Sequence, residues 1–197
     1  MIDFLEGIDT SLTLFVNSHH NSFFDDFMWV VSSKKVWIPF YILLLYLVFK
    51  NFSGKTFLLF IGGVLLTVAF SDLIASHFFK EFFLRYRPSH NLDLQSQLHL
   101  YTMPNGEIYR GGQYGFISSH ASNFFGIATF SYLIFKTIYK RSFLLLYSIA
   151  ILVAFSRVYL GVHYVSDVAV GALVGIFVAF LLFKFVFLPL QIRFSYK

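Results

Sequence analysis

Residues 57–88 read FLLFIGGVLLTVAFSDLIASHFFKEFFLRYRP. The first part, Phe57 to Phe79, carries a single charge, Asp72. A helix needs roughly 17 to 25 mostly apolar residues to cross a bilayer, and this run supplies them. It then runs into Lys80, Arg85 and Arg87, so a membrane span delivers several cations to one of its ends. Charges near the end of a span are costly unless solvated or paired, and their default reading is functional. Each side chain taken singly could instead snorkel to the interface. Only the polar clusters elsewhere in the chain decide between the two.

The rest of the chain shares this character. Of its 197 residues 57% are hydrophobic and 13% charged, with a mean hydropathy of +0.70. A soluble domain is nearer to about half apolar and about a quarter charged, so this is a membrane protein. The length and the lack of a Pro/Gly/Ser-rich linker predict one membrane-embedded domain over residues 1–197. Zero cysteines exclude disulfides and thiolate metal sites. The net charge of +5 is scattered over the ends of apolar runs and forms no single stripe, which argues against a nucleic-acid partner. The acidic start, Asp3 and Glu6, lacks the positive charge of a signal peptide, so no cleaved segment is expected.

Counting apolar runs predicts an all-α integral membrane protein with about five transmembrane helices: Val36 to Phe49, Phe57 to Phe79, Ser122 to Tyr139, Phe143 to Phe155 and Val165 to Phe183. The first is short alone but extendable upstream. Residues Phe4 to Val16 have a helical apolar period, with Asp3, Glu6, Asp9 and Thr13 on other faces, which predicts a helix lying along the interface. Phe23 to Val31 reads as a re-entrant or interfacial piece. The longest polar stretch, Ser89 to Gly115, contains Asn105-Gly106 between two apolar-aromatic runs, the signal for a small hairpin, with a plain loop as the alternative.

Five alternating spans bring Lys80 and Arg87, Ser118-Ser119-His120, and Ser156-Arg157 with His163 and Asp167 to one membrane face. Lys50, Lys55, Lys136, Lys140, Arg141, Lys184, Arg193 and Lys197 fall toward the other face. Lys/Arg excess marks the cytoplasmic side, so the polar clusters face outward.

Arg87 and Arg157 each offer a planar fork of N–H donors suited to phosphate oxygens, and Lys80 adds a compact charge. Three cations in one pocket repel each other unless an anion sits among them, which predicts a phosphate. Ser118 and Ser119 precede a helix, where one can cap it and both can add donors to an anion site. His163 and Asp167 are four residues apart and share a helical face. A carboxylate that accepts one imidazole N–H leaves the other nitrogen free to attack.

In order and spacing these clusters resemble the type 2 phosphatidic acid phosphatase superfamily, whose motifs read KxxxxxxRP, PSGH and SRxxxxxHxxxD. Lys80, Arg87 and Pro88 match the first motif, and Ser156, Arg157, His163 and Asp167 match the third. The second departs from it, with Ile117 for the usual proline and Ser119 for the usual glycine, while Ser118 and His120 remain. The resemblance implies a metal-independent lipid phosphatase without cofactor. In it His163 would attack phosphorus and form a phosphohistidine, Asp167 would orient it, and His120 would protonate the leaving oxygen. Lys80, Arg87, Ser118, Ser119 and Arg157 would bind the phosphate. Depth in the membrane argues for a lipid phosphate or diphosphate at the outer face of a cytoplasmic membrane. Undecaprenyl diphosphate is the first choice within the family; phosphatidylglycerol phosphate, phosphatidate and lipid A are alternatives. A rival class is a protein that holds an anionic lipid, for binding or transport, without cleaving it.

Overall fold

A computed structural model describes residues 2–195. It is all-helical. The elements are α1 (Ile2–Ser18), α2 (Ser22–Ser32), α3 (Ile38–Asn51), α4 (Gly54–Leu73), α5 (Lys80–Phe83), α6 (Ser119–Phe135), α7 (Ser142–Tyr159), α8 (Val165–Leu182) and α9 (Leu188–Ser195). A π-helical turn over Ile74–Phe79 joins α4 to α5, and another over Phe183–Phe187 joins α8 to α9. Both keep the long apolar helices continuous, so Gly54–Phe83 and Val165–Phe194 each run as one rod of 30 residues.

Those two rods and α7 are long and apolar enough to cross a membrane. A fourth candidate is broken: α2 meets the helix over Lys34–Asn51 at a bend of 66°. The upstream extension of the 36–49 run therefore exists, but it turns away from the run's axis. The run read from Ser122 to Tyr139 becomes α6, which starts at Ser119 and is 17 residues long. It is the core of the fold, with 12 of those residues buried.

The interior mixes apolar with small polar side chains, while the outer surface of the long helices is apolar, as lipid demands. On α4 the buried residues are Thr56, Phe60, Thr67 and Ser71, while Leu58, Leu65, Leu66, Phe70 and Leu73 are exposed. Lipid tails are as apolar as leucine, so helices in a membrane associate through close contact and internal hydrogen bonds more than through the hydrophobic effect. The contact between α6 and α8 shows this. A Cβ placed on Gly175 would lie 2.0 Å from the Ser122 carbonyl oxygen, and one on Gly171 would lie 2.7 Å from that of Ser118. The two backbones touch because both positions lack side chains.

Helix α1 is amphipathic as expected, but it turns its polar stripe inward. Asp9, Thr13 and Asn17, spaced by four, are buried, while Phe4, Leu5, Ile8, Leu12 and Phe15 are exposed. Asn17 donates to the carbonyls of His99 and Tyr159, both at 2.8 Å, and accepts from the His99 amide at 2.8 Å. The stripe thus stitches α1 to the end of α7 and to the polar loop. In that loop Gly106, at φ 84°, donates to the Met103 carbonyl at 2.8 Å, and Thr102 bridges Ile108 in antiparallel sense. The Asn-Gly turn forms there, but the ladder is one bridge long, and the described residues contain no strand.

Replacing Gly175 by valine forces α6 and α8 apart. We expect a loss of about 1–3 kcal/mol, the range for overpacking a tight core, read as a lower thermal midpoint in detergent. The same change at Gly62, which has nothing within 4 Å of the added carbon, leaves the midpoint nearly unchanged.

Candidate active site

The phosphate-binding candidates converge at one end of the bundle because each sits at a helix terminus. Lys80 lies where the π-turn passes into α5, Ser119 and His120 open α6, Arg157 is in the last turn of α7, and Asp167 is in the first turn of α8. Arg87 enters from the extended stretch after α5, whose chain reverses at Leu84 in the left-handed region, φ 47°.

Ser118 and Ser119 divide their roles. Ser118 is fully buried and is the N-cap, its hydroxyl accepting from the Ala121 amide at 3.5 Å. Ser119 faces the cations: its hydroxyl accepts from Lys80 Nζ at 3.0 Å and lies 3.3 Å from Ser76 Oγ. Where the family motif has glycine, this chain thus places a hydroxyl on its first cation.

The two arginines are anchored differently. Arg87 Nε donates to the Tyr114 carbonyl and Nη1 to that of Val162, each at 3.1 Å. Gly111 and Gly115 let the loop wrap it, since an added carbon would lie 2.8 Å from Arg87 Nη1 and 3.0 Å from its Cγ. Burial and the neighbouring Arg157 push the Arg87 guanidinium down to about 10. Arg157 is 3% exposed and donates to the hydroxyls of Ser32 and Tyr109, the latter at 2.8 Å. Its Nε is buried without a hydrogen-bond partner among the described residues.

Among the described residues none of Lys80, Arg87 or Arg157 forms an ion pair. The three cations share electrostatic range, and the nearest carboxylates, Asp72 toward Lys80 and Asp167 toward Arg87, act on them without closing an ion pair among the described residues. Buried charge is tolerated only where something compensates it, so this end of the bundle is built to receive an anion. His120 lies within range of Arg157, Arg87 and His163.

His163 and Asp167 pair as their spacing predicts, Nδ1 to Oδ2 at 3.2 Å, with the carboxyl fully buried. Asp167 also accepts from the Tyr164 amide at 3.0 Å, which fixes the helix start. Burial, reinforced by Arg87 and Arg157, holds the His163 imidazole well below its usual range, so the ring is neutral.

Sequence reasoning left out several participants. Arg85, named from sequence only as one of the cations that follow the 57–79 span, donates to Asp167 Oδ1 at 3.1 Å and to Asp9 Oδ2 at 2.8 Å, and lies over the Tyr164 ring at 4.0 Å. Asp9 in turn accepts from the Ser166 amide at 2.9 Å and from its hydroxyl. The polar stripe at Asp9, Thr13 and Asn17 was the available signal, since a surface helix has no need of a four-residue polar period on a second face. Ser32, Lys34 and Tyr109 carried no such signal. Asp72, the single charge of the 57–79 run, accepts from Asn123 on α6 at 3.4 Å.

The neutral His163 generates a stability prediction. Below the ordinary imidazole pKa of 6.5 the unfolded chain takes up a proton that the buried ring refuses. Unfolding is then favoured as pH falls. We expect the thermal midpoint of the phosphate-free protein to drop between about pH 7 and 5, and His163→Gln to flatten that part of the curve.

Comparison with known proteins bears on the family and the fold. Residues 56–189 match the family model of the PAP2 superfamily. The chain is 38% identical over 175 residues to a lipid A 4'-phosphatase of Bacteroides thetaiotaomicron, covering 89% of this chain and 75% of that one. It is 34% identical over 183 residues to a lipid A 4'-phosphatase of Porphyromonas gingivalis, covering 93% and 75%. In fold it is similar to the crystal structure of a transmembrane PAP2-type phosphatidylglycerolphosphate phosphatase from Bacillus subtilis, with a TM-score of 0.67, 20% identity and coverage of 92% and 85%. It is similar also to Aquifex aeolicus LpxE, with a TM-score of 0.63, 23% identity and coverage of 89% and 94%. A membrane fold that gathers unpaired cations around a His–Asp pair, and a family match over most of the chain, make this protein a member of the PAP2 superfamily of membrane lipid phosphatases, hydrolases acting on phosphate esters.

Proposed function

We propose that this protein removes a phosphate from a lipid A-type glycolipid through a phosphohistidine on His163, at the outer face of the inner membrane. The observation that carries the phosphotransfer reading is the set of three cations without an ion-pair partner among the described residues, with Arg157 Nε buried and unpartnered among them beside a neutral histidine. The two curated relatives move the substrate from undecaprenyl diphosphate, the first choice from sequence, to the lipid A alternative.

With the His163 Nδ1 proton directed to Asp167, Nε2 is the free nitrogen. It attacks phosphorus as the bond to the lipid oxygen breaks. His120, which takes up a proton as the phosphate dianion enters beside it, gives that oxygen its proton, then takes one from the water that attacks the phosphohistidine, so phosphate leaves and both histidines return to their substrate-bound states. Lys80, Arg87, Arg157 and Ser119 stabilise the equatorial oxygens, and catalysis rests on positioning and charge. Ser118 contributes through the helix start that it caps. Arg85, itself held by Asp9, donates to the far oxygen of Asp167, so the imidazole cannot swing away from its line of attack.

A lipid substrate is supported by an apolar cavity of about 390 Å3 between α3, α4 and α6. Lys34 stands on its wall, as does Asn123, one turn along α6 from His120. The outward orientation rests on the Lys/Arg bias toward the opposite face. A protein that only binds or carries anionic lipid needs neither His163 nor His120, and the paired, neutral His163 favours catalysis.

Two measurements test this reading. His163→Ala should abolish phosphate release on every substrate, because no leaving group replaces a missing nucleophile. His120→Ala should lose about 10²–10⁴-fold on an alkyl phosphate and recover much of that on an aryl phosphate, whose departing oxygen needs little protonation. Equal losses on both substrates would remove His120 from the acid role. The second is a substrate panel with purified protein and EDTA present. We expect lipid A to be turned over faster than undecaprenyl diphosphate, phosphatidylglycerol phosphate or phosphatidate; the reverse order sinks the glycolipid assignment.

A further inference from the structure

At the same end of the bundle, but outside the phosphate site, three segments bring together His20 from the α1–α2 loop, Asp25 from α2 and His99 from the polar loop. We propose that these residues form a binding site for a zinc-type divalent metal ion. Their potential ligand atoms all lie within 4.8 Å of one another. The two imidazoles stack with ring centroids 3.7 Å apart and 7° between planes, and His99 Nε2 lies 2.8 Å from Asp25 Oδ2.

The donor types suit such an ion. Two imidazole nitrogens and a carboxylate oxygen form a borderline set of the kind zinc takes, and the chain has no thiolate to compete. A three-ligand site leaves a fourth position to water. His20 is exposed and turns freely about its side-chain bonds, which lets its nitrogen close on an ion held by the other two.

The surroundings orient the set from outside, as metal sites require. The other Asp25 oxygen accepts from the Tyr159 hydroxyl at 2.8 Å, so Oδ2 is the one turned to the imidazoles. Tyr159 in turn accepts from the Asn21 amide at 3.3 Å, next in sequence to His20. The backbone of His99 is clamped on both sides by the buried Asn17. An ion displaces the proton between His99 and Asp25 and ties the α1–α2 loop, α2 and the polar loop into one unit. That unit holds both hydroxyls on Arg157, Ser32 at the end of α2 and Tyr109 in the polar loop. The ion thus braces the walls of the phosphate site and takes no part in the phosphotransfer.

The test uses full-length protein in detergent, stripped with EDTA and titrated with Co2+ and Zn2+. Co2+ should develop visible absorption at one ion per chain, and Zn2+ should raise the thermal midpoint with increasing concentration. His20→Ala, at an exposed position, should weaken Co2+ binding at least about tenfold and abolish the Zn2+ shift. Asp25→Asn should do the same, whereas His77→Ala, in an exposed pair with Glu81, should leave both responses intact. If Asp25→Asn does not fold, His20→Ala alone decides. No Co2+ spectrum in the unmodified protein, or an unchanged one in His20→Ala, overturns the proposal.

Discussion

Asp167 has no exposed surface and yet serves four partners, and the rest of the site hangs on it. One oxygen faces His163 Nδ1 and the Tyr164 amide, and the other accepts from Arg85. Its own carbonyl accepts from the Ser118 amide at 3.0 Å, which ties the start of α8 to the start of α6. A carboxylate in a low-dielectric interior persists only if such bonds replace its lost hydration. Satisfying it therefore recruits both helix starts, the stretch after α5 and, through Arg85 and Asp9, helix α1.

The cations show the opposite arrangement. Arg85 pairs with two carboxylates, while among the described residues Lys80, Arg87 and Arg157 form no ion pair. Their donors are partly spent on neutral oxygens: the Ser119 hydroxyl for Lys80, two carbonyls for Arg87 and two hydroxyls for Arg157. Neutral partners fix the geometry of a cation without cancelling its charge. The attraction for a dianionic phosphate is thereby preserved, and one carboxylate in their midst would remove it.

Close helix contact makes this precision possible. With the backbones of α6 and α8 in contact through Gly171 and Gly175, the termini carrying His120 and Asp167 cannot drift relative to each other. The exposed leucines and phenylalanines of α4 and α8 face lipid and add little to such registration. Fold stability and site geometry consequently depend on the same small residues.

The sequence by itself determined the membrane class, the helical architecture and the candidate residues of the phosphate site. Those features are local: apolar run length, positions of charge along the chain, and the spacing of Lys80, Arg87, Arg157, His163 and Asp167. Asn105-Gly106 likewise made its turn, because turn chemistry is carried by two residues. Tertiary structure decided which serine caps the helix and which faces Lys80, since adjacent residues point in different directions only once a helix starts between them. It also decided that α2 and α3 meet at a bend and that Arg85 belongs to Asp9 and Asp167. Arg85 and Asp9 are far apart in sequence, and the partner of a charge is chosen by distance in space, for which composition and periodicity carry no record.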